Sequence, residues 1–335
     1  MHRIHTTISQ AGHLIQILPP KEGGAERLQN CELPTALCND DRKYSIIPSV
    51  ECAPMNHQDD PLNLNQRINQ PTAYSLQPIA SIHPTAIIHP SAEIGQGTKI
   101  GPYCVIGAGV VLGDECTLHN HVTIEGPSHI GSKNTFYPYG SIGQQTQDLK
   151  YRGEPTFLEI GNNNCFREFV TVNRATAPHE KTVIGHHGNF LAYAHIAHDC
   201  IVGDHVIFSN NGTLAGHVIV EDYAVIGGLS AVHQFCRIGQ YAIVGGYTKI
   251  VQDVPCFMIA DGNPAVVRGI NQVGLERHHF SVSEIRDLRE AYKIIYRGSL
   301  NTTQAVDVLQ QQYPDSRLIK KLLEFIVSSK RGIVR

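Results

Sequence analysis

Large apolar residues recur every six positions from Ile82 to Ile250. The run begins Ile82, Ile88, Ile94, Ile100, Ile106, passes through Phe136, Ile142, Ile160, Phe166 and Val172, and resumes at Ile184, Phe190 and Ile196 to end at Val244 and Ile250. Four positions after most of these comes a small residue, as at Ala86, Cys104, Cys116, Ala194, Cys200, Ala224 and Ala242. Directly after the large residue there is often a glycine, as at Gly95, Gly101, Gly113, Gly203 and Gly227. A half-buried strand would alternate every second residue and a helix would repeat near 3.6, whereas a sustained period of six belongs to a parallel β-helix. Each hexad is then a short strand and a corner, with the large and the small residue turned inward. Three hexads close a coil, so positions 18 apart stack about 4.8 Å from one another on the same face. Glycine is expected to relieve tight backbone geometry at the corners.

The beat breaks at 143–159 and 173–183, and both breaks leave the count a multiple of six. The polar, Gly- and Pro-punctuated stretch QQTQDLKYRGEP at 144–155 should leave the prism as a loop, and 173–182 as a shorter one. After Pro255 the beat stops. Ser281 with Glu284 predicts a capping box and a helix to about Arg297. A second helix is expected after Asn301 or Thr302, and a third after Asp315 with Leu318, Leu322, Phe325 and Ile326 inward. Residues 1–79 carry no repeat and are rich in Pro, Asn and Gln, which predicts a disordered or loosely packed extension, with Met55 as an alternative start. The expected organisation is an extension over 1–79, a β-helix over 80–256, and a C-terminal connection and helical domain over 257–335.

Composition changes this picture little. A net charge of -3 leaves no footprint for nucleic acid, and no apolar run is long enough to be an integral membrane segment. The nine cysteines contain no CxxC, and Cys104, Cys116, Cys200 and Cys236 hold small inward positions, as buried thiols do in a reducing, cytoplasmic setting.

The candidate chemistry lies in AHIAHDCIVGDHVIFSNNGTLAGHVIVEDYAVIGGLSAVHQF, residues 194–235. Eighteen residues after His198 comes Gly216, so His217 lies one coil on and one position over, and His233 falls near the next coil. A single corner histidine is more often a solvated polar residue than a catalyst. A set of them beside Asp199 reverses that weighting, because a carboxylate can fix the imidazole tautomer and support the charge it gains as a base. The same side chains suit zinc, as in the gamma class of carbonic anhydrases, which share the prism, and the spacing does not separate base from ligand.

The strings QDLKYRGEPT, AHIAHDC, NNGTLAGHV, IGGLSAVHQF, QDVP and RGIVR, in that order over about 80–335, resemble the UDP-N-acetylglucosamine O-acyltransferases that begin lipid A synthesis. The resemblance implies a mainly β fold, a left-handed parallel β-helix with a C-terminal α-helical domain, against the usual right-handed crossover. It implies transfer of a 3-hydroxyacyl group from acyl carrier protein to the 3-hydroxyl of UDP-N-acetylglucosamine by a homotrimer with no metal and no cofactor. By the same resemblance, His198 matches the general base, Asp199 its orienting partner, and the Gly216 amide the oxyanion donor. Gln147, Asp148, Lys150, His195, His217, His233 and Gln234 match sugar, nucleotide or acyl contacts. Asn271 and Arg277 match uridine and phosphate contacts, and Gly246 the end of the acyl groove. In a trimer, His198 of one chain is expected to face His217 or His233 of another. The pattern departs at Val273, where the family has an acid, at His278 in place of a second arginine, and at Pro264 in place of a histidine.

Overall fold

The computed structural model describes residues 79–335. The expectations for an N-terminal extension and a start at Met55 fall on residues 1–78, outside the described ones.

The hexads build three parallel sheets, each taking every third strand in turn, and two further strands extend one of them, giving sheets of 11, 9 and 8 strands. Most strands are two residues long, an outward residue followed by the large inward one, as in Lys99–Ile100, Val105–Ile106 and Thr117–Leu118. The register is the one the period demands: Ser81 pairs with Lys99, Ile87 with Val105 and Glu93 with Val111, each 18 residues on. At the first interruption Ser141 pairs instead with Thr171, and at the second Phe157 pairs with Lys181, steps of 30 and 24. Both exceed 18 by a multiple of six, so the inward set keeps its phase. The interior is closed by columns of like side chains, of which Phe136, Phe166, Phe190 and Phe208 form one, with successive ring centroids 4.9, 4.7 and 5.3 Å apart. Cys104, Cys116, Cys200 and Cys236 are buried at the small inward positions. The chain is thus a mainly β, left-handed parallel β-helix with a helical tail.

The role expected of the glycines is corrected. The corners with positive φ are mostly not glycine: Asp199, His217 and Phe235 stand at 60°, 61° and 66° on one edge. Holding such residues there costs roughly 1–2 kcal/mol each, offset by ladder bonds such as His217 N–H to the His198 carbonyl, 3.0 Å. The glycine after the large residue answers a different need. A Cβ on Gly95 would lie 2.3 Å from the Gly113 carbonyl carbon, so it is the close stacking of coils that excludes a side chain.

The strand pairing also runs past the expected end at 256. Ile243 pairs with Ile259 and Ile238 bridges to Val254, both 16 apart, so the last turn is shortened by two residues and the six-residue count no longer detects it. Strand Val266–Ile270 then returns antiparallel on Met258–Asp261. Helix α1, Gln272–Arg277, was not legible, since it is one and a half turns long and buries Leu275 alone. The other three helices start at or next to their expected caps: α2, Val282–Tyr296, with the Ser281/Glu284 box; α3, Thr302–Gln312, with Asn301 and Gln304 reciprocally bonded; and α4, Arg317–Ser328, capped by Ser316, one residue beyond the expected Asp315. Buried Asp253 ties the tail to the prism, accepting from the Arg237 N–H at 2.8 Å and from the Ser329 hydroxyl at 2.7 Å. Among the described residues no helix is long and apolar enough to cross a membrane.

Candidate functional site

The prism has three edges, and each collects one residue per coil. The edge between strands such as His195–Ile196 and Ile201–Val202 carries Asp199, His217 and Phe235 in successive coils, with the His217 and Phe235 rings stacked at 4.6 Å. Both chain excursions leave from this edge. They follow strands Ser141–Gln144 and Thr171–Asn173, which pair in the same sheet as His195–Ile196.

His198 and Asp199 are neighbours in sequence, and the left-handed backbone at Asp199 turns its side chain back toward the histidine. His198 Nδ1 and Asp199 Oδ2 are 2.7 Å apart, with the two side chains 14% and 9% exposed. Burial works against a charge on Asp199. The hydrogen bonds from His198 and Thr176, with His217 nearby, more than offset it and hold the carboxyl below its ordinary value. Because the carboxylate has no proton to give, Nδ1 must be the donor, and Nε2 of the neutral ring keeps its lone pair. That is the tautomer a general base requires. His217 Nε2 stands 3.6 Å from the same carboxylate, and its ring meets His198 edge-on at 5.3 Å.

Gly216 lies against the other side of the His198 ring. A Cβ there would fall 2.3 Å from His198 Cε1 and 2.6 Å from Nε2. The Gly216 N–H makes no backbone hydrogen bond among the described residues. It is therefore left open as a donor beside the His198 ring, as an oxyanion site needs. His195 is bonded through Nδ1 to the Thr171 hydroxyl at 2.7 Å. Burial first, and then repulsion from His198, lowers its pKa and keeps it neutral.

The sequence-predicted residues divide by edge. His195, His198, Asp199, Gly216 and His217 converge. His233 and Gln234 lie on the same edge but are exposed, with His233 Nδ1 3.1 Å from the Gln234 carbonyl oxygen. Gln147, Asp148 and Lys150 ride on the first excursion, where Gln144, Asp148, Tyr151 and Asn173 line a cavity of about 460 Å³. Asn271 is buried and caps α1: its Oδ1 accepts from Gly274 N–H at 3.0 Å and its Nδ2 donates to the Tyr241 carbonyl at 2.9 Å. Both polar ends are thus spent on the fold, which leaves the exposed Arg277 as the ligand-facing candidate on that helix. His278, next to it, packs edge-on against Tyr223 and Tyr241, which belong to a second edge built from His187, His205, Tyr223 and Tyr241. Gly246 is on the third edge beside Tyr247, and a Cβ there would meet only the Gly228 carbonyl, at 3.4 Å. Within one chain the coil rise already places His217 against Asp199.

His198, Asp199 and His217 could also hold a metal, since one ligand atom from each lies within 4.8 Å of the others. The threonines around the dyad were not anticipated. Thr176 donates its N–H to both Asp199 oxygens at 3.1 and 3.2 Å, and Thr182 Oγ1 accepts from Asp199 N–H at 2.8 Å. A lone threonine, whether in an excursion like Thr176 or in a strand like Thr182, carries no sequence signal, and only the coil register brings the two here.

Comparison with known proteins follows the same outline. The family model of bacterial transferase hexapeptides matches residues 79–114 and 91–126, and the model for domain 2 of UDP N-acetylglucosamine O-acyltransferase matches 253–334. The acyl-(acyl-carrier-protein)-UDP-N-acetylglucosamine O-acyltransferase of Thermodesulfovibrio yellowstonii is 51% identical over 219 residues, covering 65% of this chain and 85% of the relative. That of Saccharophagus degradans is 49% identical over the same shares. Among solved structures, LpxA from Acinetobacter baumannii superposes with a TM-score of 0.73 at 46% identity, over 76% of this chain and 99% of that one. The Arabidopsis UDP-N-acetylglucosamine acyltransferase gives 0.69 at 38% identity, over 76% and 100%. The chain belongs to the family of acyl-(acyl-carrier-protein)-UDP-N-acetylglucosamine O-acyltransferases.

Proposed function

We propose that the chain transfers a 3-hydroxyacyl group from acyl carrier protein to the 3-hydroxyl of UDP-N-acetylglucosamine, the step that opens lipid A synthesis, with His198 as general base. The observation that carries this reading is the buried His198–Asp199 pair lying directly against the Gly216 backbone. His198 Nε2 takes the proton of the sugar hydroxyl as its oxygen attacks the thioester carbonyl. Negative charge grows on the carbonyl oxygen, where the Gly216 N–H can donate to it. The C–S bond then breaks, and the carrier thiolate recovers the proton from His198. Asp199 stays ionised throughout and supports the imidazolium. The thioester already supplies an activated acyl group, so the chemistry needs no metal and no cofactor.

Asp148 and Lys150 on the loop, with Gln147, His195, His217, His233 and Gln234 along the edge, bind sugar, nucleotide and acyl groups. Arg277 binds the nucleotide phosphates, and Asn271 holds the helix that presents it. Gly246 leaves the end of the acyl groove open.

These residues occupy all three edges of one prism, and one small substrate cannot touch three edges of the same prism. A homotrimer with prisms side by side resolves this, because a neighbour's edge then faces His198. Subunit complementation tests it. His198→Ala and Arg277→Ala chains are each expected to be nearly inactive alone. When they are denatured and refolded together at equal amounts, one interface in four combines an intact His198 with an intact Arg277, so about a quarter of wild-type activity should return if the site is shared by a cyclic assembly. No recovery, with mixed oligomers demonstrated by mass, would place the whole site within one chain.

A further inference from the structure

Two threonines outside these roles connect the first excursion to the base. Asp148 N–H donates to Thr146 Oγ1 at 3.1 Å, and Thr146 Oγ1 lies 2.7 Å from Thr176 Oγ1. Thr176 in turn gives its N–H to both oxygens of Asp199, which holds His198 Nδ1 at 2.7 Å. Thr146 Oγ1 accepts from the Asp148 N–H and its own hydroxyl is within hydrogen-bond distance of Thr176 Oγ1, so the loop is joined through two side chains to the residue whose N–H holds the buried carboxylate. Neighbouring bonds in such a network polarise one another. Thr146 is buried while its neighbour Leu149 is 92% exposed, so the loop reaches outward from one fixed point. The same excursion is pinned a second time by Asn173 Nδ2, which donates to the Gln145 carbonyl at 2.9 Å.

We infer that Thr146 and Thr176 form a latch that makes the acceptor-binding loop and the His198–Asp199 dyad move as one body. This rests on the acyltransfer reading above, because it takes the Asp148 loop as the sugar site. Both threonines are positioning residues: they touch neither substrate nor reacting atoms. The latch fixes the height of Asp148 and Lys150 above the prism relative to Nε2 of the base, so a sugar seated on the loop presents its hydroxyl in line with Nε2. An unlatched loop still binds the sugar, but in poses that miss the base.

Valine replaces threonine with nearly the same volume and leaves the Thr176 N–H in place, so the hydroxyl bridge is removed selectively. The test is steady-state transfer to UDP-N-acetylglucosamine from a saturating 3-hydroxyacyl carrier-protein thioester by Thr146→Val, Thr176→Val, the double variant and Thr176→Ser, with thermal unfolding and oligomer size measured alongside. Each valine variant is expected to raise KM for the sugar nucleotide and to lower kcat, with about a tenfold loss in kcat/KM, as for one hydrogen bond to a charged network. The double variant should be no worse than either single, since both break the same bridge, and serine should restore most of the loss. Losses that multiply in the double variant, or that follow a fall in unfolding temperature and are not rescued by serine, would overturn the latch. So would valine variants with wild-type kinetics. A wild type that transfers nothing to the sugar nucleotide would remove the functional reading and the latch with it, whereas an active wild type matched by its valine variants would remove the latch alone.

Discussion

Replacing His198 with alanine is expected to lower kcat by about 10²–10⁴-fold, the usual worth of a positioned general base, while the unfolding temperature and oligomer size stay as in wild type. Asp199 is buried yet ionised, because His198, Thr176 and His217 surround it with donors. Its hydrogen bond at 2.7 Å settles the tautomer of His198 and leaves Nε2 as the only unprotonated ring nitrogen. Removing the ring therefore takes the proton acceptor away and leaves the carboxylate without its best donor. The structural cost is small, since His198 is at a corner and its backbone carbonyl, not its side chain, carries the ladder bond to His217. Binding of the sugar nucleotide should change much less than turnover, because the loop and Arg277 are untouched. Kinetics and calorimetric binding on the same preparation check the separation. Turnover within a few-fold of wild type would show that another group takes the proton.

Gly216→Ala should be the second most damaging change, lowering kcat by roughly 10²–10³-fold, the scale of losing an oxyanion donor. The backbone at Gly216 is not in the left-handed region, so alanine brings no conformational strain of its own. What it brings is a methyl group 2.3 Å from His198 Cε1, well inside van der Waals contact. Either the ring swings away from the reacting position, or the Gly216 peptide shifts and its N–H no longer points where the oxyanion forms. Both routes reach catalysis without reaching the core, as Val218 and Leu214 keep their inward places. The discriminating measurement is kcat together with the chemical shift of the His198 ring. An alanine variant with a displaced ring and low turnover supports the contact, whereas wild-type turnover would mean the base can sit elsewhere.

The coil register could be read from residues alone because a β-helix asks the same two inward positions of every hexad, and Ile100 with Cys104 or Ile196 with Cys200 meet that demand by size. The later helices were legible because Ser281, Asn301 and Ser316 offer side-chain acceptors where backbone N–H groups would otherwise be bare. Four features were hidden for physical reasons. Coil-to-coil contact, such as that of Gly95 on Gly113, looks in a sequence like any glycine turn. The last coil drops two residues before Val254, so a count by six stops although the sheet continues. The distribution of the site is the largest gap. His198, Arg277 and Gly246 read as one list, yet Gly246 stands on a different edge from His198, and Arg277 adjoins His278, which packs on the remaining edge, a separation that a list of residues does not carry. Around the dyad, His198 with Asp199 was visible as a pair, while Thr176 was invisible because its contact with Asp199 is made by its backbone N–H, which every residue but proline has.

The role proposed for His198 is metal-free base catalysis of acyl transfer. It is tested most directly by offering chelator-treated wild type and His198→Ala a series of 3-hydroxyacyl carrier-protein thioesters with UDP-N-acetylglucosamine and measuring the acylated sugar nucleotide formed. Wild-type transfer that survives chelation and collapses in the variant is the predicted result, with the best donor length reporting on the groove at Gly246. Transfer that is lost on chelation and restored by zinc would contradict it, and would make His198, Asp199 and His217 metal ligands instead of a base and its supports.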